Sequence, residues 1–218
     1  MSESDRTSQI RKYIEYTLLR PDCSAEDIRA LCETALRRGY AGVCVPPYHV
    51  KATANLLQNQ EKVRIVTVVG FPMGYQSLAA KSEEIKRACN DGADDLDVTL
   101  NLSAVKSACW KDVLRDIDDT ARVIRLRGKT SKLIIEYGLL SESEVEQVCA
   151  VAAEAGFDYI KTGTGFHNAP ATPEMVAHLR RILPPSIKIK AAGGIRTAED
   201  IAAMIEAGAD RIGTSQAI

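Results

Sequence analysis

Two lysines stand where lysine is unfavourable. Lys161 closes the run Asp158-Tyr-Ile-Lys161, and Lys190 lies inside Ile187-Lys-Ile-Lys-Ala-Ala192; both runs are short and largely apolar, and both break into glycines. An ammonium in the interior of an apolar strand must be paired or used, because a buried, uncompensated charge is costly. Two of them at the ends of successive strands suit amine chemistry. One ammonium lowers the pKa of a close neighbour, and the freed amine can attack a carbonyl to form a Schiff base. Asp97, in Asp95-Leu-Asp-Val-Thr99, can pair with the charged lysine and move a proton during carbon–carbon bond cleavage. The competing reading is purely structural: ion pairs of Lys190 with Asp97, or of Lys132 with its same-face neighbour Glu136.

Glycine loops follow the same strands. Gly163-Thr164-Gly165, Gly193-Gly194 and Gly213-Thr214-Ser215 offer backbone N–H groups and hydroxyls that can cradle a small anion, although each alone could be only a tight turn. Cys44, before Pro46-Pro47, is expected on the pocket lining, with a small buried hydrophobe as the default reading, and Phe71 either walls the site or packs. His49, His167 and His178 have no partner four residues away, so surface or loop roles are expected and no metal site is.

The elements that must position these groups alternate. Strands are expected at 14–19, 41–46, 63–71, 95–100, 132–138, 158–163, 187–192 and 211–214. Helical apolar spacing runs between them, from 24 and through 76–90, 110–127, 141–155, 172–183 and 197–207. Ser24-Ala-Glu-Asp27, Ser141-Glu-Ser-Glu144 and Thr197-Ala-Glu-Asp200 are helix starts of capping-box form. Glycines at 39, 92, 156 and 208 each close a helix just before a strand. Eight strands alternating with helices in one domain, 1–218, predict an α/β fold of the (β/α)8 TIM-barrel type, with an open doubly wound sheet as the alternative. Residues 1–12 read as a polar leader or a short helix covering the barrel floor. On a barrel, Lys161, Lys190, Asp97 and Glu136 would converge on one rim.

Composition narrows the partners. Lysine and arginine (28) nearly balance aspartate and glutamate (29), so there is no basic footprint for nucleic acid. No run approaches the ~20 apolar residues of a membrane span, and Met1–Arg6 lacks the apolar segment of a signal peptide. Six scattered cysteines without a C-x-x-C pair argue against a disulfide framework or zinc site and fit a cytoplasmic location.

Thr17-Leu-Leu-Arg-Pro21, Val43-Cys-Val-Pro-Pro47, Thr67-Val-Val-Gly-Phe-Pro72, Gly92-Ala-Asp-Asp-Leu-Asp97, Lys132-Leu-Ile-Ile-Glu136, Lys161-Thr-Gly-Thr-Gly-Phe166, Lys190-Ala-Ala-Gly-Gly-Ile-Arg196 and Arg211-Ile-Gly-Thr-Ser215 run in order along the chain. In these segments the chain resembles the deoxyribose-phosphate aldolases, class I aldolases of the short bacterial type. The resemblance implies a Schiff base on Lys161, a lowered pKa for it from Lys190, and proton transfer assisted by Asp97. It implies phosphate contacts at Gly165, Gly193, Gly194 and Ser215; Thr164 and Gly213 of the same loops are expected to join them, and Thr17, Cys44 and Phe71 to line the pocket. The implied reaction is reversible cleavage of 2-deoxy-D-ribose 5-phosphate to D-glyceraldehyde 3-phosphate and acetaldehyde. It needs no metal or organic cofactor, since the iminium is the electron sink, and a homodimer is expected.

Six positions depart from the family pattern: Glu15-Tyr16 for Asp-His, Tyr137 for threonine, Gly163 and Ala192 for serine, and Gln216 for a small hydroxyl residue. None is Lys161, Lys190 or Asp97. A C-terminal tyrosine tail, present in some members, is not expected to act beyond Ile218. The remaining alternatives are another phosphosugar lyase or isomerase barrel, and a sugar-phosphate-binding barrel without turnover.

Overall fold

The computed structural model describes residues 9–58, 60 and 63–218. Strands β1 (Ile14–Thr17), β2 (Gly42–Val45), β3 (Arg64–Val69), β4 (Asp95–Thr99), β5 (Thr130–Ile134), β6 (Tyr159–Lys161), β7 (Lys188–Ala192) and β8 (Arg211–Thr214) pair in chain order, all parallel, and β8 closes on β1. Closure makes the fold a (β/α)8 barrel and removes the open-sheet alternative. Residues 9–11 are helical, as the short-helix reading of the leader allowed; residues 1–8 lie outside the described residues.

Local chemistry sets the elements. All three capping boxes form, with Ser24, Ser141 and Thr197 each accepting the N–H three residues on. Gly39 and Gly156 take the left-handed conformation that ends their helices, with φ of 70° and 79°. Two short helices, Val50–Leu56 and Leu102–Lys106, lie in stretches where no helix was expected, being too short to show a period. The longer helices bury stripes such as Ile28, Leu31, Cys32 and Ala35 against outward-facing strand residues such as Val43, Leu96, Leu133, Ile160, Ile189 and Ile212.

The aspartate just before each of β4, β6 and β8 reaches back to the preceding strand. Asp94 accepts the N–H of Ile65 at 2.9 Å, Asp158 that of Ser131 at 2.8 Å, and Asp210 that of Ile189 at 2.9 Å. These are the Gly-x-Asp sequences that follow three of the four repeated helix ends.

Strand alternation sends the other face inward. On β2 and β3 that face is apolar, with Cys44, Val66 and Val68 forming their own cluster under Leu19 and Phe71. On β1 and β4 to β7 it is charged: Glu15, Asp95, Asp97, Lys132, Lys161 and Lys190 are all buried. The barrel interior therefore has an apolar half and an ionic half.

One strand departs in position. The run 132–138 was expected for β5, but the strand spans Thr130–Ile134, and Glu136 lies beyond it in left-handed backbone at φ 50° and ψ 58°. The chain then makes one tight turn over Tyr137–Leu139. The polar start Thr130-Ser131 hid the true beginning.

Candidate active site

The two lysines meet on one oxygen. Lys161 and Lys190 are directly paired residues of β6 and β7, and their Nζ atoms donate to the same Oδ2 of Asp97, at 2.9 and 2.7 Å. Lys190 also donates to Glu15. Lys132 donates to Asp95 at 2.6 Å and lies 3.2 Å from the second oxygen of Asp97 and 3.4 Å from Glu15. Asp95 in turn takes Arg64 on the floor side. Three lysines and three carboxylates thus alternate through the barrel, which offsets the desolvation each would suffer alone.

The pairing of Lys132 with Glu136 does not occur. The two would share a face only if the strand continued past Ile134, and it does not. Glu15, a departure from the family pattern, is an integral member of the charge network, whereas Tyr16 faces outward against Tyr40, 5.6 Å between ring centres. Gly213 makes room for the amine, since a Cβ there would lie 3.3 Å from Lys190 Cε and 2.9 Å from Ala192 Cβ.

Electrostatics fix the charges. Burial alone would push the Asp97 carboxyl up, but Lys132, Lys161 and Lys190 outweigh it and hold it far below the usual carboxylate range. Burial likewise opposes charge on Lys190 and Lys132, but their carboxylates raise both well above the ordinary lysine value. Asp95 is lowered, against its burial, chiefly by Lys132.

A stability profile follows. The depressed Asp95 and Asp97 stabilise the fold above their unfolded value of about 4, and this is lost as pH falls towards their folded values. The raised Lys132 and Lys190 stabilise it below about 10.4, and this is lost as pH rises through their folded values. The thermal midpoint, measured by circular dichroism from pH 2 to 12, should therefore be broadest between about 5 and 10. A midpoint that holds flat to pH 2 would show that the carboxylates contribute nothing to folding.

Above Lys161 opens a cavity of about 370 Å³. Its lining includes Thr17, Lys161, Thr164, Gly165, Gly193, Gly194, Gly213 and Ser215, so the glycine loops singled out in the sequence do converge. Arg20 and Arg196, which lie in the family-like segments but have no role legible from the sequence, also line it. Arg20 is shared with Asp22 and Asp27, at 2.9 and 2.7 Å. The available signal was a basic side chain directly after a glycine loop, as in Gly193-Gly-Ile-Arg196.

Cys44 is not on the lining. It is fully buried inside the barrel beside Val66 and Val68, and burial pushes its thiol pKa up, so the small-hydrophobe reading holds. Phe71 lines a second, neighbouring cavity of about 260 Å³ and meets Phe166 edge-to-face, with ring centres 5.1 Å apart. Leu19 and Phe166 belong to both cavities.

The histidines depart from expectation in two of three cases. His49 and His178 are buried, because each sits on the packed side of its element, and Nδ1 of His178 lies 2.6 Å from the Tyr137 hydroxyl. His167 is in a loop as expected, with Nε2 4.0 Å from Glu136. A buried lysine outside the barrel also escaped notice. Lys81 donates to Asp116 at 2.7 Å and to the Thr99 carbonyl at 2.9 Å, bracing the end of the strand that carries Asp97.

Among the described residues no helix is long and apolar enough to cross a membrane, and all six cysteines are free thiols.

Comparison with known proteins places this geometry. A family model described as DeoC/LacD family aldolase matches residues 13–215. The deoxyribose-phosphate aldolase of Thermococcus gammatolerans is 44% identical over 210 residues, covering 96% of this chain and 93% of that protein. A solved structure described as QR15, an aldolase, superposes with a TM-score of 0.89 at 39% identity, over 94% of this chain and 91% of its own. The tetrameric deoxyribose phosphate aldolase of Aeropyrum pernix also gives 0.89, at 29% identity, over all of this chain and 95% of that one. With a match across nearly its whole length and a lysine pair set on one carboxylate, the chain belongs to the DeoC/LacD family of aldolases.

Proposed function

We propose that this aldolase reversibly cleaves 2-deoxy-D-ribose 5-phosphate to D-glyceraldehyde 3-phosphate and acetaldehyde through a Schiff base on Lys161. The observation that carries the reading is the shared Asp97 oxygen. It keeps two amines together beneath a glycine-walled cavity, and only Lys161 lines that cavity.

In this reading the neutral Lys161 amine adds to the C1 aldehyde of the open-chain sugar, and loss of water gives the iminium. A base takes the C3 hydroxyl proton, the C2–C3 bond breaks, and its electrons move into the iminium to give an enamine while glyceraldehyde 3-phosphate leaves. Protonation at C2 and hydrolysis then release acetaldehyde and restore the amine. Lys190, held charged by Asp97 and Glu15, competes with Lys161 for the same Asp97 oxygen, and Asp97 is placed to shuttle protons. The phosphate is taken by the loops of Thr164, Gly165, Gly193, Gly194, Gly213 and Ser215, with Arg20 and Arg196 adding positive charge. The iminium supplies the electron sink, so no metal or organic cofactor enters.

We further infer one barrel domain spanning the chain and a homodimer in the cytoplasm. Twofold pairs are the commonest closed assembly, and six free thiols suit a reducing compartment.

Incubation with 2-deoxyribose 5-phosphate and borohydride, followed by peptide mass analysis, tests the covalent step. A reduced adduct on Lys161 is expected. An adduct on Lys190 would exchange the lysine roles, and no adduct on a folded, substrate-binding protein would remove the covalent mechanism.

A further inference from the structure

Glu136 is a buried carboxyl that the proposed chemistry leaves unused. Glu15, Asp95, Asp97 and Asp116 each have a lysine or arginine within 4.0 Å, but among the described residues Glu136 has none, only the imidazole of His167 at that distance. It is 1% exposed. Its backbone is also one of only two non-glycine sites at positive φ among the described residues. An L-residue adopts that conformation at a cost, and such outliers persist where surrounding contacts hold them.

The side-chain hydrogen bonds of Glu136 both run to the loop after β6. Glu136 Oε2 accepts the N–H of Thr164 at 3.1 Å and its hydroxyl at 2.5 Å. The Thr164 oxygen then accepts the N–H of Phe166 at 3.1 Å. The turn Thr164-Gly165-Phe166 is thereby closed onto a single carboxyl oxygen. Beside it, Tyr137 N–H donates to the Thr162 carbonyl at 2.7 Å, so the strained segment grips the loop from backbone and side chain alike. Gly163 leaves space for this, since a Cβ there would lie 2.7 Å from Glu136 Oε1. The clamped turn faces the next loop closely, with Gly193 Cα 3.7 Å from where a Gly165 Cβ would stand.

We propose that Glu136 is a positioning residue that sets the β6 loop for the phosphate end of the substrate. It touches neither Lys161 nor the reacting carbons; it acts through Thr164. The inference rests on the phosphosugar reading above and adds to it the residue that makes the phosphate-binding turn rigid. Loss of the clamp therefore weakens binding of the phosphorylated sugar and leaves the amine chemistry intact.

Steady-state kinetics on 2-deoxyribose 5-phosphate and on unphosphorylated 2-deoxyribose test this, with wild type, Glu136→Ala, Glu136→Gln and Glu136→Asp compared. Glu136→Ala should raise KM for the phosphorylated sugar about tenfold or more, because it strands two buried donors, with kcat changed less than about threefold. Activity on the unphosphorylated sugar should change less than about threefold. Glu136→Gln should recover most of the loss, since its carbonyl oxygen in the Oε2 position accepts both bonds. Should Glu136→Ala not fold, Glu136→Asp, which keeps the carboxylate but draws it one methylene back from both Thr164 donors, carries the same expectation.

Equal losses on both sugars, an unchanged KM, or a Glu136→Gln as impaired as Glu136→Ala would overturn the positioning role. Wild type that neither cleaves the phosphosugar nor traps on borohydride would instead remove the underlying reading, whatever Glu136 does.

Discussion

Lys161→Leu is expected to reduce turnover by about 10⁴-fold or more, because removing the group that forms the covalent intermediate removes the reaction path itself. The substitution trades a buried ammonium for a side chain of similar girth at the end of β6. Asp97 keeps Lys190 at 2.7 Å and Lys132 at 3.2 Å, so the network stays paired and the protein should fold. Borohydride should give no adduct, while binding of the phosphosugar, followed by calorimetry, should persist through the glycine loops. Residual turnover within about tenfold of wild type would exclude Lys161 as the nucleophile.

Lys190→Leu is expected to cost about 10²- to 10³-fold in kcat, for a different reason. At present Asp97 Oδ2 is divided between two amines. With Lys190 gone, that oxygen belongs to Lys161 alone and holds it in an ion pair, away from the carbonyl it must attack. Borohydride trapping on Lys161 should slow in step with kcat while binding of the phosphosugar changes less than about threefold, a split that a purely structural defect would not produce. Glu15 loses its closest partner but keeps Lys132 at 3.4 Å and Arg211 at 4.0 Å, so the variant should be destabilised without unfolding. An equal loss of phosphosugar binding, or near-wild-type activity, would remove Lys190 from the control of Lys161.

Much of this site was legible in the residues because a charge inside an apolar strand is conspicuous. Lys161, Lys190 and Asp97 stood out for that reason, and alternation placed them on one face. The glycine loops were legible through position, being the turns after consecutive strands. Partnership across the barrel was not legible. Glu15 looked like a departure, yet it bonds Lys190 from 175 residues away, a contact no local pattern encodes. Lys132 was given the wrong partner because same-face logic holds only while a strand continues, and the turn at Glu136 ended it. Cys44 was placed at the pocket by its strand-end position, but it faces the apolar half of the interior. Arg20 and Arg196 line the cavity from loops, where side-chain direction has no period to read.

The three aspartates at the barrel floor have a consequence at the opposite end. A parallel strand that slips by one residue exchanges its two faces. Had β7 slipped, Ile189 and Ala191 would point inward and Lys190 would lie among the helices. Asp210 forbids this by fastening β8 to the N–H of Ile189, while Asp158 and Asp94 do the same for β5 with β6 and β3 with β4. Near the mouth, the Thr162 hydroxyl locks β6 to β7 by bonding both the N–H and the carbonyl of Ala192. None of these residues contacts the shared oxygen of Asp97, yet they decide that two amines, and not two isoleucines, arrive there. An error in alignment at the floor would be chemically silent where it occurs and would erase the nucleophile at the top.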